Sequence, residues 1–507
     1  LAGKISDPGR VLAAVEDLGY RACLFDPAEA EAAQDKEGKE LALALGVAGH
    51  RHATHLVYMG LMAMQHRASA GVGLAMADGS TVRGLHAPGT VDRVLTGRIV
   101  DQMDAPMAIG RLTGVPSFGP VDPAPGLGAG GRVDVQEPVV RTWSGGRLAV
   151  ATAGRLTNGK ALRKEVLERG VLAGDSDAEL VAALLALEDG RTLVNRVVAV
   201  LHRLRGAFSL LVLSEERLIA ARDPRGYRPL CIGQLGAATL FASEDAALRD
   251  LGCEMVRPVA PGEVLVVDNH GMLGLKPFLS KPRSASLADL VELARDDATV
   301  DGIPVTDVRL ALGQAIAKER PAPGAGLIVG LPGQELVAAG YAQALGRRFV
   351  PALSVRRASR IAHPAPADVD DAVFRAPLRA SGVHRADVAL IVPVLGTGIE
   401  VEHAVQALRA GGARRVHLRV ATPGLAHADP FGLALPPPEA LAAVRLPLPE
   451  VLADGLSVDS AASLSVEGMR AAIDAWEDGW CDVAWSGEIP EAAEVGADQL
   501  GLFGADE

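Results

Sequence analysis

The chain has 507 residues, about three to four times the ~150 residues typical of one domain, which indicates at least two domains. Apolar residues make up 49% and charged residues 22%, a balance that excludes wholesale disorder. Aromatic residues are only 3% and the formal net charge is −12, so a surface that stacks bases or follows a phosphate backbone is not expected.

The spacing of the cysteines and the length of the apolar runs indicate the cellular compartment. The cysteines lie far apart in the chain, which argues against a disulfide framework or a cysteine zinc site and favours a reducing cytoplasm; they are Cys23, Cys231, Cys253 and Cys481. No stretch of 18 apolar residues occurs, and the first residues lack the pattern of a secretory signal. We therefore predict a cytoplasmic protein without a membrane span or a metal site.

The predicted elements begin after a short N-terminal extension, residues 1–41, in which VLAAVEDLGYRACLF is typical of a helix followed by a strand. LALALGVAG then predicts a buried strand, THLVYMGLMAMQHR a buried helix and GVGLAMADGS a strand ending in a turn. Further strands are predicted at RLAVATAG, AFSLLVLSEERLIAARD, ATLFASED and EVLVVDNHG, and helices at DAELVAALLAL and TLVNRVVAVLHRL. This order favours a layered α+β domain over residues 42–279.

The pattern changes after SKPRSAS, residues 280–286, which we interpret as a domain boundary. Strands at GLIVGLP, VALIVPVLG and RRVHLRVATP alternate with helices at TDVRLALGQAIAKE, LVAAGYAQALG and VEHAVQALRAGG. Such alternation predicts an α/β domain with a doubly wound parallel sheet over residues 287–490. Residues 491–507 read as an acidic, flexible tail.

Several strings occur in one order and carry a family resemblance: GVAGH, YMGLMAMQHRASAG, GRLAVATAGRLTN, DSDAEL, RGAFSLLVLSEERLIAARDPRGYRPLCIG and, later, VALIVPVLGTGIEVEHAVQALRAGGARRVHLRVATP. Over residues 42–490 the chain resembles the amidophosphoribosyltransferases. The resemblance implies an N-terminal-nucleophile glutaminase fold, an α/β/β/α sandwich, followed by a type I phosphoribosyltransferase domain. In that family, ammonia from glutamine displaces pyrophosphate from phosphoribosyl pyrophosphate (PRPP), the first step of de novo purine synthesis. Homodimers or homotetramers are also implied.

The residues that the resemblance implies for glutamine hydrolysis are replaced. Ala42 stands where the family has its nucleophilic cysteine, and a methyl group cannot attack a carbonyl. Thr113 replaces the arginine that holds the substrate carboxylate, and Ala153-Gly154 replaces the Asn-Gly oxyanion donor. Asp177 remains at the position that binds the substrate amino group, although we read it first as a helix N-cap.

Two nearby residues are weaker candidates for the same site. Cys23 loosely echoes the nucleophile motif but stands 27 residues before His50, and we interpret it as a buried apolar residue. Arg111 lies two residues from Thr113, and we interpret it as a solvated surface arginine.

The implied PRPP site is altered to a similar extent. In the family, two aspartates at a strand end hold the ribose hydroxyls near Mg²⁺, and a Gly/Thr-rich turn receives the phosphate. The matching positions here are Val392, Pro393, Gly398, Ile399 and Glu400, and those of the pyrophosphate-side loop are Gly333, Gln334 and Glu335. We read Gly396-Thr397-Gly398 as a plain strand-to-helix turn, and the basic loop with Arg356, Arg357 and Arg360 as solvated.

Some family members carry an iron–sulfur cluster, and its four ligand positions correspond to Ser286, Asp429, Cys481 and Ala484. Because only one thiol remains, the cluster is not expected. Mg²⁺ is not expected as a cofactor either, because the two aspartates of the PRPP site are replaced. The sequence therefore predicts a pseudoenzyme of this family, retained for binding, scaffolding or regulation. The alternative is an active enzyme with an altered ligand or residual transferase activity.

The tail contains one further motif. Its residues Gln499, Leu500, Leu502 and Phe503 resemble the QLxLF peptide by which bacterial proteins bind the DNA sliding clamp. The alternative is that Leu502 and Phe503 dock on the surface of the chain itself.

Overall fold

Two antiparallel sheets form the first half of the chain. The computed structural model describes residues 41–68, 71–114, 137–171, 174–190, 192–355, 378–433, 435–473 and 479–489. The strands of this half are β1 Leu41–Ala48, β2 Gly71–Ala77, β3 Val82–Pro88, β4 Met107–Gly114, β5 Val139–Trp143, β6 Gly146–Ala153, β7 Ser209–Ser214, β8 Leu218–Arg222, β9 Cys231–Leu235, β10 Ala238–Ala242, β11 Glu254–Pro258, β12 Val264–Asp268 and β13 Gly271–Leu275. One sheet has the order β11-β9-β10-β1-β4-β2-β3 and the other the order β13-β12-β8-β7-β6-β5.

The two sheets face each other. Alternate residues of each strand point into the layer between the sheets, because successive side chains of a strand lie on opposite sides. In β1, Ala44 and Ala48 belong to an apolar cluster that also contains Ala149 and Leu211 of the second sheet. The alternate residues of β1, such as Leu45, pack on the other side against helical residues. The cluster between the sheets is therefore the central layer of this half.

Helices cover the outer faces of both sheets. They are α1 Ala53–Met64, α2 Val91–Val94, α3 Gly97–Gln102, α4 Gly159–Glu168, α5 Asp177–Leu187, α6 Leu193–Arg203 and α7 Asp245–Asp250, with a 3₁₀ turn at Gln65–Arg67. Val57 and Leu61 of α1 pack on the first sheet, and Leu184 of α5 and Val197 of α6 pack on the second. The predicted four-layer α/β/β/α order is confirmed.

The second half is built on a parallel sheet. Its strands are β14 Ala285–Ser286, β15 Thr299–Val300, β16 Ile303–Pro304, β17 Leu327–Gly330, β18 Arg348–Phe349, β19 Leu353–Val355, β20 Leu378–Ala380, β21 Asp387–Val392, β22 Arg415–Val420, β23 Ser460–Ser463 and β24 Trp480–Cys481. The helices are α8 Val305–Glu319, α9 Glu335–Leu345, α10 Ile399–Ala410, α11 Ala442–Arg445, α12 Pro449–Gly455, α13 Val466–Ile473 and α14 Val483–Ser486, with a π-helical turn at Asp289–Leu293 and a 3₁₀ turn at Pro438–Ala440.

Five strands of this half pair in the order β18-β17-β21-β22-β23, all in parallel. Along β21, Leu390 and Val392 pack with residues of α10, whereas Ala389 and Ile391 pack with residues of α8 and α9. Both faces of the strand are thus buried beneath helices, which explains its continuous apolar sequence. The predicted doubly wound sheet is confirmed.

Arg222, at the end of β8, is completely buried. Its guanidinium donates to the carbonyl oxygens of Gly226 (2.8 Å), Arg228 (2.8 Å) and Val259 (2.9 Å). It also donates to both carboxylate oxygens of Asp301, at 2.6 and 2.9 Å. A buried arginine is tolerated when its donors are paired in this way. The contact joins the first half of the chain to a turn of the second.

Two further buried interactions reinforce this junction. Asp301 also receives Nη2 of Arg283 at 2.7 Å, so one carboxylate is shared by two arginines. Arg228 lies 3.2 Å from Asp289, and both side chains are buried. Asp223 accepts the backbone N–H groups of nearby loop residues and thereby fixes the turn itself.

Within the described ranges, no helix is both long enough and apolar enough to cross a bilayer.

Substituting Arg228 by alanine is expected to destabilise the protein by about 3–5 kcal/mol, because it leaves the buried Asp289 carboxylate without its cation. Thermal unfolding of the full chain measures this as a lower Tm. The matched control is Arg217→Ala, which removes a more exposed ion pair with Asp268 and should cost less than about 1 kcal/mol. An unchanged Tm for Arg228→Ala would instead indicate a surface or binding role.

Candidate functional site

Position 42 lies near the start of β1, beside the end of β4. The antiparallel register places Ala42 opposite Thr113 and Ala44 opposite Arg111. Positions 42 and 113, which the sequence assigns to the nucleophile and the carboxylate clamp, are therefore direct neighbours on paired strands.

Arg111 is a buried partner of Glu137, which corrects the prediction that it is solvated. Its Nε atom lies 2.8 Å from Oε2 of Glu137, and both side chains are buried. Nη1 donates to Oγ1 of Thr113 at 3.3 Å, and Nε is 3.3 Å from the carbonyl oxygen of Thr152. The arginine is buried because it connects β4 of one sheet to β6 of the other, a contact that strand periodicity cannot reveal.

Glu137 is a site residue that the sequence analysis missed. Its carboxylate also accepts the backbone N–H of Thr152 at 3.1 Å. Burial raises the pKa of Glu137 to about 7, although the adjacent Arg111 opposes the shift. One signal in the sequence could have indicated this residue. Glu137 directly precedes Pro138 and two apolar residues, and a charged residue in such an apolar segment needs a buried partner.

Asp177 is engaged by the chain itself. One carboxylate oxygen accepts the backbone N–H of Leu156 at 2.7 Å, and the other accepts Nη2 of Arg163 at 3.1 Å. The helix N-cap is Ser176, which forms a reciprocal capping box with Glu179. The prediction that Asp177 is the N-cap is therefore wrong by one residue, because the shorter serine side chain reaches the N3 amide.

Ala153 is the last residue of β6 and Gly154 follows it, at the predicted oxyanion position. Gly154 has φ +109°, and a Cβ there would lie 2.5 Å from the carbonyl oxygen of Ala207. The backbone of Gly432, from the second half, also approaches Gly154 within contact distance. Glycine is thus required by packing at this position, independently of any oxyanion role.

The described residues leave a cavity of about 10 Å³ at this place, with Thr152, Gly154 and Asp177 in its wall. That volume is about the space that one water molecule needs. A glutamine side chain does not fit into it without rearrangement.

The described cysteines offer no activated thiolate. Burial raises the pKa of Cys231 and of Cys481 above the usual range, and raises that of Cys253 to about 11. A thiol acts as a nucleophile only as the thiolate, which such pKa values suppress at neutral pH. Cys23 lies outside the described residues.

The turn that aligns with the phosphate loop of the family follows β21. Val392 ends the strand, and the carbonyl oxygen of Pro393 accepts the hydroxyl of Thr422 at 2.9 Å. Gly398 adopts φ +91° as the N-cap of α10, and Ile399 and Glu400 form its first turn. The turn has the backbone position of a phosphate loop, but it presents a carboxyl group where an anion would bind.

Two carboxyl groups occupy this site. Nε2 of Gln334 donates to Oε1 of Glu292 at 2.6 Å, and both residues line one cavity with Thr397 and Glu400. The cavity measures about 20 Å³, whereas sites for small ligands are typically about 300–1,000 Å³. Glu292, from the π-helical turn, is a second site residue that the sequence analysis missed.

The charge state of this cavity follows from its burial. Burial, reinforced by the neighbouring Glu400 and opposed by Arg309, raises the pKa of Glu292 to about 8. Burial also raises the pKa of Glu400, against the attraction of His403. Both carboxyl groups are therefore held towards the neutral form, which is unsuited to binding Mg²⁺.

The remaining loop positions have structural places. Gly333 has φ +85° in the turn before α9, Gln334 is the N-cap residue and Glu335 is the first helical residue. The basic loop with Arg356, Arg357 and Arg360 lies outside the described residues. So does the tail motif with Gln499, Leu500, Leu502 and Phe503.

The four positions aligned with cluster ligands gather in space. Ser286 pairs with Cys481 across parallel strands, the Asp429 carboxylate contributes to raising the pKa of the Cys481 thiol, and the carbonyl oxygen of Ala484 accepts two backbone N–H groups of the same region. One thiol, one hydroxyl, one carboxyl and one methyl group do not form the thiolate set of an iron–sulfur cluster. These residues do not fit that cofactor.

A separate cavity of about 340 Å³ lies where the two halves meet. Basic residues His202, Arg205, Arg225 and Lys281 line it, together with the stacked rings of Tyr227 and Phe431, whose centroids are 4.1 Å apart. This volume is in the range of small-ligand sites.

Comparison with known proteins places this architecture. Residues 133–250 match the model of a glutamine amidotransferase domain. The amidophosphoribosyltransferase of Bacillus subtilis is 29% identical over 454 residues, covering 88% of this chain and 93% of its own length. That of Rhizobium etli is 30% identical over 451 residues, covering 84% and 86%.

Solved structures agree. Glutamine PRPP amidotransferase from B. subtilis, complexed with ADP and GMP, superposes with a TM-score of 0.78 at 27% identity, covering 90% of this chain and 98% of its own. A structure described as the allosteric regulatory enzyme of purine biosynthesis also has a TM-score of 0.78, at 28% identity, covering 88% and 96%. The fold is that of a glutamine amidotransferase domain joined to a phosphoribosyltransferase-type domain. This chain belongs to the amidophosphoribosyltransferase family.

The raised pKa of Glu292 predicts a pH-dependent stability. Between pH 4.5 and about 8 the folded protein holds a proton on this group that the unfolded chain has lost. The contribution of protonated Glu292 to the free energy of unfolding is complete near pH 4.5. It falls by up to about 1.4 kcal/mol per pH unit as the pH rises to 8. Glu292→Gln removes this pH-dependent loss of stability. The Tm of the variant should therefore rise relative to that of the wild-type protein between about pH 6 and pH 9.

The control is Glu254→Gln on the exposed face of β11, measured over the same pH range to record the effect of replacing a surface glutamate. A pH-independent Tm difference for Glu292→Gln would mean that Glu292 is ionised in the folded protein.

Proposed function

We propose that this chain is a catalytically silent member of the amidophosphoribosyltransferase family, retained for binding, scaffolding or regulation. The observation that carries the proposal is how little space the described residues leave around both aligned positions. The cavities left there among the described residues measure about 10 and 20 Å³. Both are far below the volume of a small-ligand site.

The amide half-reaction lacks each chemical requirement. Hydrolysis needs a nucleophile on the carbonyl carbon, a base to deprotonate it and donors for the oxyanion. Ala42 supplies no nucleophile, and Ala153 supplies no side-chain donor. The Arg111 guanidinium is neutralised by Glu137, and Asp177 by Arg163, so neither charge is directed at a substrate.

The transferase half-reaction lacks its charge pattern. PRPP carries several negative charges and needs cations and backbone donors around its phosphates. The cavity after β21 holds Glu292 and Glu400 instead, and Gln334 is already bonded to Glu292. Val392 and Pro393 offer no oxygen ligand for ribose or for Mg²⁺ from their side chains.

The organisation of the family supports two further parts of the proposal. Residues 42–279 would form the glutaminase-like domain and residues 287–490 the phosphoribosyltransferase-like domain, joined by the segment that carries Arg283. The assembly would be a homodimer or a homotetramer.

The alternative is an active enzyme with an altered ligand. The cavity of about 340 Å³ is the observation that favours it, because its basic lining suits an anionic molecule. The cavity lies apart from the turn after β21, so a ligand bound there would not occupy the PRPP position of the family.

Purified full-length protein is expected to release no glutamate from glutamine, because the nucleophile position is alanine. A coupled glutamate assay measures this, with a B. subtilis amidophosphoribosyltransferase as the positive control. Ala42→Cys should not restore activity, since Arg111 and Asp177 remain paired within the chain. Turnover that a thiol alkylator abolishes by modifying Cys23 would overturn the proposal.

Calorimetric titration with PRPP and Mg²⁺ is expected to show no Mg²⁺-dependent binding, because two carboxyl groups occupy the phosphate position. Converting Val392 and Pro393 to aspartate should not create binding while Glu292 and Glu400 remain. Micromolar, Mg²⁺-dependent binding by the native chain would contradict this. Binding that Lys281→Ala weakens and Glu400→Gln does not would favour the alternative and place the ligand in the 340 Å³ cavity.

A further inference from the structure

Two histidines and an aspartate come together at the start of α1. His52 is the N-cap residue of that helix, His55 lies in its first turn, and Asp104 lies between α3 and β4. Nδ1 of His52 is 2.5 Å from Oδ2 of Asp104, and Nδ1 of His55 is 3.3 Å from Oδ1 of Asp104. One ligand atom from each of the three residues lies within 4.8 Å of the other two.

These atoms have the identity and spacing of a metal site. Around a tetrahedral Zn²⁺ with bonds of about 2.0–2.1 Å, neighbouring ligand atoms are about 3.3 Å apart. Small side-chain rotations bring His52, His55 and Asp104 to that spacing. Imidazole nitrogen with one carboxylate oxygen is a common ligand set for zinc and other first-row transition metals.

The backbone around the cluster is fixed in advance. Oγ1 of Thr54 donates to the carbonyl oxygen of Met103 at 2.7 Å, and the backbone N–H of Ala53 donates to the carbonyl oxygen of Ala105 at 3.0 Å. These bonds join the first turn of α1 to the residues on either side of Asp104. A ligand set on such a scaffold loses little conformational entropy when it binds an ion.

A second carboxylate orients one of the histidines. Nε2 of His55 lies 3.0 Å from Oδ1 of Asp101, on the side of the ring away from Asp104. A metal-bound histidine usually donates its other ring N–H to a carboxylate or carbonyl group, which leaves the first nitrogen free to coordinate. With Nε2–H bonded to Asp101, Nδ1 of His55 is the coordinating atom and it faces Asp104.

We propose that His52, His55 and Asp104 bind one divalent first-row transition-metal ion, with Zn²⁺ as its representative. Three protein ligands leave a coordination position for water. The ion acts as a clamp between the start of α1 and the turn before β4. This departs from the prediction of no metal site, which rested on the spacing of cysteines.

The metal site is distinct from the glutaminase position. Ala48, at the end of β1 next to the cluster, is six residues from Ala42, which corresponds to about 20 Å along a strand. The clamp is therefore structural and has no part in amide hydrolysis.

The test uses the tag-free full chain, treated with a chelator and titrated with Zn²⁺ by calorimetry. One ion per chain is expected, together with a higher Tm in Zn²⁺. His52→Ala and His55→Ala should each weaken the affinity at least about tenfold. The matched control is His270→Ala, which removes an exposed histidine after β12 and should leave the affinity unchanged.

Substitution with Co²⁺ separates binding from folding. The wild-type protein should give visible ligand-field bands that His55→Ala removes while its far-ultraviolet circular dichroism stays native. Unchanged bands and unchanged Zn²⁺ affinity in both histidine variants, or no Zn²⁺ binding by the wild-type protein at millimolar concentration, would overturn the proposal. These outcomes are independent of whether the chain hydrolyses glutamine or binds PRPP.

Discussion

The shared carboxylate of Asp301 is the interaction on which the arrangement of the two halves depends. It binds Arg222 at the end of β8 and Arg283 in the segment that leads into the second half. Arg222 is completely buried, so without Asp301 its charge would lie in the interior with carbonyl oxygens alone. Arg228 and Asp289 add a second buried pair at the same junction. The orientation of the antiparallel sheets relative to the parallel sheet follows from these few bonds.

A scaffold held in this way can persist while its substrate sites change. The paired charges at the junction do not involve positions 42, 392 or 393, so a change of residue there leaves these bonds intact. Several charged side chains around the sites are paired within the chain: Arg111 faces Glu137, Arg163 faces Asp177, and Glu292 is bonded to Gln334. Such pairing meets the needs of a folded chain and is no evidence of ligand binding.

The fold was largely predictable because it depends on periodicity. The continuous apolar runs of β1 and β21 both predict buried strands, and both strands occur as predicted, each buried on two faces. Ala42, Val392 and Pro393 are visible in the sequence as residues without the functional groups of the family, and the loss of catalysis stays a prediction. The predictions for Arg111 and Asp177 were wrong because exposure and capping depend on which side chains lie nearby in the folded chain. Glu137 and Glu292 were missed for the same reason.

The sequence by itself determined the class of fold and the family, because both follow from residue identity and from order along the chain. Only the tertiary structure decided which side chains meet at the candidate sites. Glu137 lies 26 residues from Arg111, and Glu292 lies 108 residues from Glu400, yet each pair shares one site. The same holds for His55 and Asp104 at the proposed metal clamp. Ion pairs and ligand sets form between side chains that are close in space, and a single sequence does not specify which distant residues meet.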